Sequence, residues 1–232
     1  MLYSSTTGTG KDLVLLHGWG FNSDLFNNLI NTYQDQYRIT KIDLPGHGRS
    51  ADIAGGIDEW CHEIIKILPE NPILLGWSLG GLLAIHIATQ IKLSRLILVA
   101  STPNFVQNNN WEYGIDADHF KQFSNTLKLN LAKGLKRFVS LQTKDKTQIK
   151  SLNQSIDTLP ASTIALNQGL AILLNTDLTQ QFLALNVEKK IILGTKDTLV
   201  PSKIALWYQQ QFIDTTVLNT GHMPFLHSDF RL

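Results

Sequence analysis

Ser78 lies between Gly76 and Gly80 in "NPILLGWSLGGLLAIHIA" (71–88), where an apolar run gives way to a helical pattern. A G-x-S-x-G motif at a strand-to-helix turn projects the serine hydroxyl from a strained backbone, and glycines two residues away avoid side-chain collisions. The N–H of Leu79 would then lie at a helix N-terminus, aimed at developing negative charge. A glycine-rich turn with a capping serine would use the same residue types, but the strand–helix context favours a nucleophile.

A serine hydroxyl needs a base before it can act as a nucleophile at neutral pH, and the chain has seven histidines. His222 in "NTGHMPFL" follows the last predicted strand in a loop with a glycine, so we predict it as the base. His17 in "HGWG" follows the first strong strand, and this loop is predicted to supply the N–H of Trp19 as a second oxyanion donor. His47 in "DLPGHGRS" is predicted to help shape the cleft. His62 and His86 are expected to be packed or half-exposed within helices and His119 to be solvated, while no pattern surrounds His227 near the chain end.

The third member of such a site orients the imidazole and stabilises its charged form. Asp197 follows the apolar run "IILG", whereas Asp214 precedes the last strand and should lie at the opposite edge of the sheet. Asp43 comes before the nucleophile and Asp177 lies in a helical region, so Asp197 is the predicted partner. The order Ser78, Asp197, His222 is that of the α/β-hydrolases.

The elements that must position these residues alternate along the chain. Short runs rich in Leu, Ile and Val predict strands at 12–18, 37–44, 72–76, 95–101, 189–197 and 215–219. Helical patterns separate most of them, at roughly 24–33 and 58–68 and after Ser78, which predicts an α/β fold with a mostly parallel central sheet flanked by helices. Between 105 and 186 only helical periodicity is present. We therefore predict a core of residues 1–104 and 187–232 with an inserted all-helical lid, 105–186.

Composition and charge narrow the function classes. The 232 residues are 43% hydrophobic and 17% charged, as in an ordinary globular domain, and no apolar run is long enough for a membrane span. A single cysteine, Cys61, and the lack of a signal-peptide pattern lead us to expect a cytoplasmic monomer. No ligand spacing for metals and no phosphate loop is visible, so no cofactor and no nucleic acid is expected. The serine at the G-x-S-x-G turn (the nucleophile elbow) excludes a haloalkane dehalogenase or epoxide hydrolase of this fold, because these enzymes need a carboxylate at that position.

The net charge of +1 hides a basic segment. Residues 121–150 contain eight basic side chains and one acidic side chain, which leaves 12 basic and 18 acidic residues elsewhere. The basic residues are Lys121, Lys128, Lys133, Lys136, Arg137, Lys144, Lys146 and Lys150. The chain is therefore a weakly acidic body with one basic segment, and a solvated helix face would have the same composition.

Several stretches together resemble the pimeloyl-acyl-carrier-protein methyl ester esterases of biotin synthesis (BioH-type). They are "LVLLHGWGFN", "DLPGHGRS", "LLGWSLGGL", "RFVSLQT", "LGTKDTLVP" and "GHMPF", which span nearly the whole chain. The resemblance implies a serine carboxylesterase with Ser78, Asp197 and His222 as triad and the N–H groups of Trp19 and Leu79 as oxyanion hole. It also implies that Trp19, Phe138 and Gln142 line the acyl channel, with Phe138 as a core aromatic of the lid being the alternative. An acyl carrier protein would then contact Lys133, Lys136, Arg137 and Lys150.

Other functions of the same fold are a generic carboxylesterase or thioesterase, a C–C lyase of menaquinone synthesis and a small-molecule receptor. The lyase would need a basic pocket near the serine, for which Arg49 is the candidate outside the basic segment. The complete triad argues against a receptor. The chain ends ten residues after His222, so we expect no full closing helix there.

Overall fold

The computed structural model describes residues 1–232, apart from the side chains of Ser124 and Lys128. Seven strands form one sheet in the order β1-β3-β2-β4-β5-β6-β7, parallel except for β1, which pairs antiparallel with β3. The strands are β1 (Ser4–Thr7), β2 (Lys11–Leu16), β3 (Tyr37–Ile42), β4 (Ile73–Trp77), β5 (Arg95–Val99), β6 (Lys189–Gly194) and β7 (Asp214–Leu218). The predicted α/β class with a mostly parallel sheet is confirmed.

The helices flank this sheet and fill the segment between β5 and β6. They are α1 (Asn27–Tyr33), α2 (Ile57–Ile65), α3 (Leu79–Ala88), α4 (Ala117–Leu129), α5 (Leu131–Gln142), α6 (Lys146–Thr158), α7 (Thr163–Asn175), α8 (Thr179–Ala184) and α9 (Ile204–Gln210). Short 3-10 helices lie at Ser23–Phe26 and Pro224–Leu226. Within the described residues, no helix combines the length and the apolarity that a bilayer crossing requires.

The core explains the continuous apolar runs of the sequence. Leu13, Val14, Leu15 and Leu16 in β2 are all fully buried, because a central parallel strand is covered on both faces. Eight of the ten residues of α3 are buried as well, so this helix is apolar on all sides. The element that carries the elbow serine is therefore held on every side by packed side chains.

The segment between β5 and β6 contains α4 to α8, and its described residues form isolated bridges but no strand. Four of these helices begin at a side-chain cap that the sequence supplies, which satisfies backbone N–H groups of the first turn. The caps are Asp116 for α4, Asn130 for α5, Asp145 for α6 and Ser162 for α7. Asn104 donates a hydrogen bond to Asp177 at 3.0 Å, which ties the start of the segment to its last part.

Two details differ from the sequence-based expectations. Strand β1 is polar and exposed, and its residues pair with Ile39–Ile42 at the edge of the sheet, so no apolar pattern marks it. The predicted helix at 24–33 begins with a 3-10 turn, capped by the Asn22 side chain.

Candidate active site

The elbow at Ser78 is a strained turn between β4 and α3. Ser78 has φ 55° and ψ −119°, a conformation that is costly for a residue with a Cβ. A Cβ on Gly76 would lie 2.3 Å from the carbonyl oxygen of Gly80, and one on Gly80 would lie 2.3 Å from that of Leu16. Both contacts are with backbone, so neither position can carry a side chain without displacing the turn.

The end of the neighbouring strand holds this turn in place. The N–H of Ser78 donates to the carbonyl of Val99 in β5 at 3.0 Å. The hydroxyl of Ser101, fully buried, donates to the carbonyl of Ser78 at 2.8 Å. The strained backbone is therefore fixed from both sides by β5 and the residues that follow it. Sequence reasoning missed Ser101, because nothing in the local pattern distinguishes it from an ordinary loop serine.

Three side chains that are far apart in the chain meet at the carboxyl end of the sheet. His222, in the loop after β7, places Nε2 2.9 Å from the Oγ of Ser78 and Nδ1 2.8 Å from Oδ2 of Asp197. The second oxygen of Asp197 accepts from the N–H groups of Leu199 (2.8 Å) and Val200 (2.9 Å). The carboxylate is thus fixed in orientation, and the imidazole lies between an acceptor and a hydroxyl. This is the geometry that a serine nucleophile with its base requires.

The backbone of His222 is bound by groups on two different elements. The indole Nε1 of Trp77 donates to the carbonyl of His222 at 2.7 Å, and the N–H of His222 donates to the carbonyl of Gln142 at 3.0 Å. Trp77 immediately precedes the serine, so the tryptophan of "GWSLGG" is the sequence signal for this contact. The C-terminal end of α5 therefore contacts the loop of the base directly.

Gln142 occupies a different place from the one expected for a channel residue. Its side chain is fully buried and Nε2 donates to the carbonyl of Phe138, one turn earlier in the same helix. It is not among the described residues that line the cavity at Ser78. What Gln142 contributes in this structure is its backbone carbonyl, which accepts the hydrogen bond of His222.

The loop after β2 brings Trp19 to the wall of the cavity on which Ser78 also lies. This loop packs so tightly that a Cβ on Gly18 would lie 3.1 Å from the Cβ of Ser78. Among the described residues, neither Trp19 nor Leu79 donates a backbone hydrogen bond to another protein group. Two unpaired N–H groups next to the serine are what an oxyanion hole needs.

Two buried histidines fix the shape of that loop. Nε2 of His17 accepts from the N–H of Leu44 at 2.9 Å, and Nε2 of His47 accepts from the N–H of Gly20 at 3.2 Å. Each Nδ1 lies 2.8 Å from a backbone carbonyl, which assigns the proton to Nδ1. Burial lowers the pKa of His17, and burial together with the neighbouring His17 lowers the pKa of His47 to about 3. Both rings are therefore neutral, and their hydrogen bonds to the backbone hold the loop in shape.

Arg49 forms ion pairs with two carboxylates. Its guanidinium lies 3.3 Å from Asp43, which is buried, and 2.5 Å from Asp24. Burial raises the pKa of Asp43, but hydrogen bonds from Ser23 and Arg49 outweigh it and hold that pKa below its usual value. Arg49 is not among the described residues lining the cavity at Ser78, so it supplies no basic pocket for a lyase.

Ser78 opens into a cavity of about 350 Å³ between the sheet and the helical segment. Trp19 and Phe138 both lie on its wall, and the two rings meet edge to face at 4.8 Å between centroids. The wall is mainly aromatic and aliphatic, with Phe105, Phe120, Phe123 and Leu173 among its residues. Arg137 lines the same cavity and is exposed, so it lies at the mouth. Such a cavity suits an apolar chain with a polar continuation.

The remaining candidates, apart from His119, lie away from the cavity at Ser78. Asp214 is exposed at the start of β7, and Asp177 accepts a hydrogen bond from Asn104. Cys61 is buried, and burial raises the pKa of its thiol. His62 is exposed, and His86 and His227 are half-buried, whereas the exposed His119 lines the cavity that contains Ser78. Within the described residues, no group of three His, Cys, Asp or Glu side chains is placed to hold a metal ion.

The basic residues of the helical segment lie on its surface. Lys133, Lys136 and Arg137 occupy one face of α5, and Lys150 lies on α6; all four are exposed. None of them forms an ion pair with another described residue. The side chain of Lys128, which also belongs to the basic segment, lies outside the described residues.

Fold and site together define a hydrolase of the α/β type. The chain belongs to the alpha/beta hydrolase family, whose sequence profile matches residues 13–230. A solved esterase from Exiguobacterium antarcticum superimposes with a TM-score of 0.88 at 25% identity, covering 97% of this chain and 90% of that one.

The sequence relatives specify the family further. A pimeloyl-[acyl-carrier protein] methyl ester esterase from Pseudoalteromonas atlantica is 36% identical over 97% of this chain and 92% of the relative. One of the same name from Nitrosomonas europaea is 34% identical over 97% of this chain and 94% of the relative. Within the α/β-hydrolases, the chain therefore belongs to the family of pimeloyl-[acyl-carrier protein] methyl ester esterases, and the resemblance read from its motifs is confirmed.

Proposed function

We propose that this protein is a serine carboxylesterase that hydrolyses the methyl ester of a pimeloyl chain carried on acyl carrier protein. The observation that carries the proposal is the hydrogen-bonded chain from Asp197 through His222 to Ser78, which opens into an apolar cavity with Arg137 at its mouth. The names of the relatives supply the substrate.

The reaction follows from the positions of the groups. His222 takes the proton of Ser78 through Nε2 while Oγ attacks the ester carbonyl, and the backbone N–H groups of Trp19 and Leu79 stabilise the oxyanion. The protonated ring then gives its proton to the departing methoxide, which leaves as methanol. Water then gives a proton to His222 as its oxygen attacks the acyl carbonyl, and His222 returns that proton to Oγ of Ser78 as the acid leaves. Asp197 keeps the Nδ1 proton in place throughout.

The direct test of the chemistry is Ser78→Ala. In a related triad, loss of the serine lowers kcat by about 10⁶, and we expect a loss of that order on p-nitrophenyl butyrate. Asp214→Asn is the matched control, because this exposed carboxylate lies far from the serine. Hydrolysis by Ser78→Ala at the wild-type rate would refute the triad.

The helical segment supplies the contact with the carrier in this proposal. Residues 105–186 act as a lid, and the exposed bases Lys133, Lys136, Arg137 and Lys150 attract the acidic carrier protein, because opposite charges steer association. Arg137 lies where the carrier-bound arm would enter the cavity.

Charge reversal tests this contact separately from the chemistry. Arg137→Glu with Lys150→Glu should lower kcat/KM for the carrier-bound methyl ester by about tenfold or more, with loss of its salt dependence. Turnover of free methyl butyrate should fall far less, because this ester makes no contact with a carrier and only Arg137 of the two residues lines the cavity. If the carrier-bound ester reacts as in the wild type and salt has no effect, the docking proposal fails while the esterase proposal stands.

A generic carboxylesterase is the second candidate, since the apolar cavity also accommodates free esters. Comparing kcat/KM for pimeloyl-carrier methyl ester with free methyl esters separates the two. Rescue of a biotin auxotroph that lacks its own demethylating esterase tests the same point in cells. The cytoplasmic location and the monomeric state stay predictions.

A further inference from the structure

A second cavity lies directly beside the one that opens at Ser78. It measures about 330 Å³, close to the 350 Å³ of the first, and the serine is not part of it. Its inner wall is apolar, formed by Leu127, Leu131 and Leu166, while the exposed residues Thr163 and Asn167 form a polar rim. A cavity of this size and lining suits part of an alkyl chain whose end reaches solvent.

The two cavities share two of their described wall residues, Trp19 and Leu170. Trp19 is fixed: its Nε1 donates to the carbonyl of Leu166 at 2.8 Å and its ring packs edge to face on Phe138. Helix α7 lies so close to the indole that a Cβ on Gly169 would be 2.8 Å from its Cδ1. Leu170 is buried and its side chain makes no hydrogen bond, so it is the shared wall residue that can be shortened without breaking one.

We infer that Leu170 is a specificity-determining residue that separates the acyl cavity from the second cavity and thereby limits the length of acyl chain that the enzyme buries. In the wild type, carbons beyond the first cavity stay in water. With a shorter side chain at 170, they enter the second cavity past Trp19. The inference rests on the proposed esterase function and adds a limit on chain length to it.

The test is the length dependence of hydrolysis in Leu170→Ala. Each CH₂ newly buried in the transition state raises kcat/KM about fourfold. Burial of two further methylenes should therefore raise the ratio of kcat/KM for p-nitrophenyl decanoate over butyrate by about tenfold or more. Leu173→Ala is the matched control: it removes the same side chain from the same helix but lines only the first cavity.

A second substitution shows where the extra carbons go. Leu131 lines only the second cavity, so Leu131→Trp should fill that cavity and leave the decanoate-to-butyrate ratio of the wild type and of Leu173→Ala unchanged. In Leu170→Ala it should return the ratio to the wild-type value. An unchanged ratio in folded Leu170→Ala, or a raised ratio that Leu131→Trp does not reverse, would overturn the inference.

Butyrate hydrolysis and thermal unfolding separate the inference from its premises. If Leu170→Ala does not fold, Leu170→Val provides the same test with a smaller opening and a smaller expected rise, about fourfold. Undiminished butyrate hydrolysis by Ser78→Ala would instead refute the proposed function. A wild-type rate on butyrate with an unchanged decanoate-to-butyrate ratio in Leu170→Ala would refute only the inference that Leu170 separates the two cavities.

Discussion

Replacing Asp197 with asparagine tests whether this carboxylate sets the tautomer of His222. One carboxylate oxygen accepts from the N–H groups of Leu199 and Val200 at 2.8 and 2.9 Å, and the other lies 2.8 Å from Nδ1 of His222. In Asp197→Asn the two backbone donors hold the amide oxygen, because the alternative orientation would set an NH₂ group against two N–H groups. The NH₂ group must then face Nδ1.

With the amide NH₂ group facing Nδ1, His222 can no longer act as the base. Nδ1 has to accept the hydrogen bond from the amide, so the ring proton moves to Nε2, which can no longer take the proton of Ser78. The same substitution in a related triad lowers kcat by about 10⁴, which corresponds to about 5.4 kcal/mol of transition-state stabilisation. We expect a loss of that order here. KM should change little, since Asp197 is not among the described residues lining the cavity.

Steady-state hydrolysis of p-nitrophenyl butyrate measures the effect on kcat and KM, and a thermal unfolding scan measures the effect on stability. The melting temperature of Asp197→Asn should stay near the wild-type value, because both backbone hydrogen bonds remain. Asp197→Ala should unfold at lower temperature, since it leaves the N–H groups of Leu199 and Val200 unpaired. Asp214→Asn, at an exposed position, should keep full activity. More than about a tenth of wild-type kcat in Asp197→Asn would refute the tautomer argument.

Three further outcomes follow from the site. Between pH 7.5 and 5.5 the free energy of unfolding should fall by about 1.4 kcal/mol on account of His47, because its folded-state pKa is about 3 and the unfolded chain binds the proton instead; the lowered pKa of His17 acts in the same direction. Urea titrations measure this loss, and in His47→Gln it should be smaller by about 1.4 kcal/mol. Gly80→Ala should cost about 2 kcal/mol or more in the same assay, since its Cβ would meet the carbonyl of Leu16 at 2.3 Å; wild-type stability would contradict the close approach. Ser101→Ala should lower kcat severalfold with KM unchanged, because the carbonyl of Ser78 loses a donor; an unchanged kcat would remove Ser101 as a positioning residue.

Much of the fold could be predicted from the sequence because local rules and tertiary packing agree. Buried parallel strands must be continuous apolar runs, and the predicted runs correspond to β2 to β7. Side-chain caps such as Asp116 and Asn130 mark where helices of the inserted segment begin. Strand β1 was not predicted, because its residues are polar and only pairing with β3 at the edge of the sheet makes it a strand.

The sequence by itself determined the types and order of the reacting groups. Only glycine fits at positions 76 and 80 of the elbow, and the chain order of Ser78, Asp197 and His222 is fixed by the strands that precede them. These features are local, so a pattern of neighbours is enough to read them.

Tertiary structure decided everything that depends on contacts between distant segments. The carbonyl of Gln142 binding the N–H of His222, the hydroxyl of Ser101 on the carbonyl of Ser78, and the two cavities that meet at Leu170 leave no local trace. A backbone carbonyl has the same chemistry in every residue, and a cavity is bounded by segments from different helices. Where such groups meet is set by how the helices pack on the sheet, which a one-dimensional pattern does not contain.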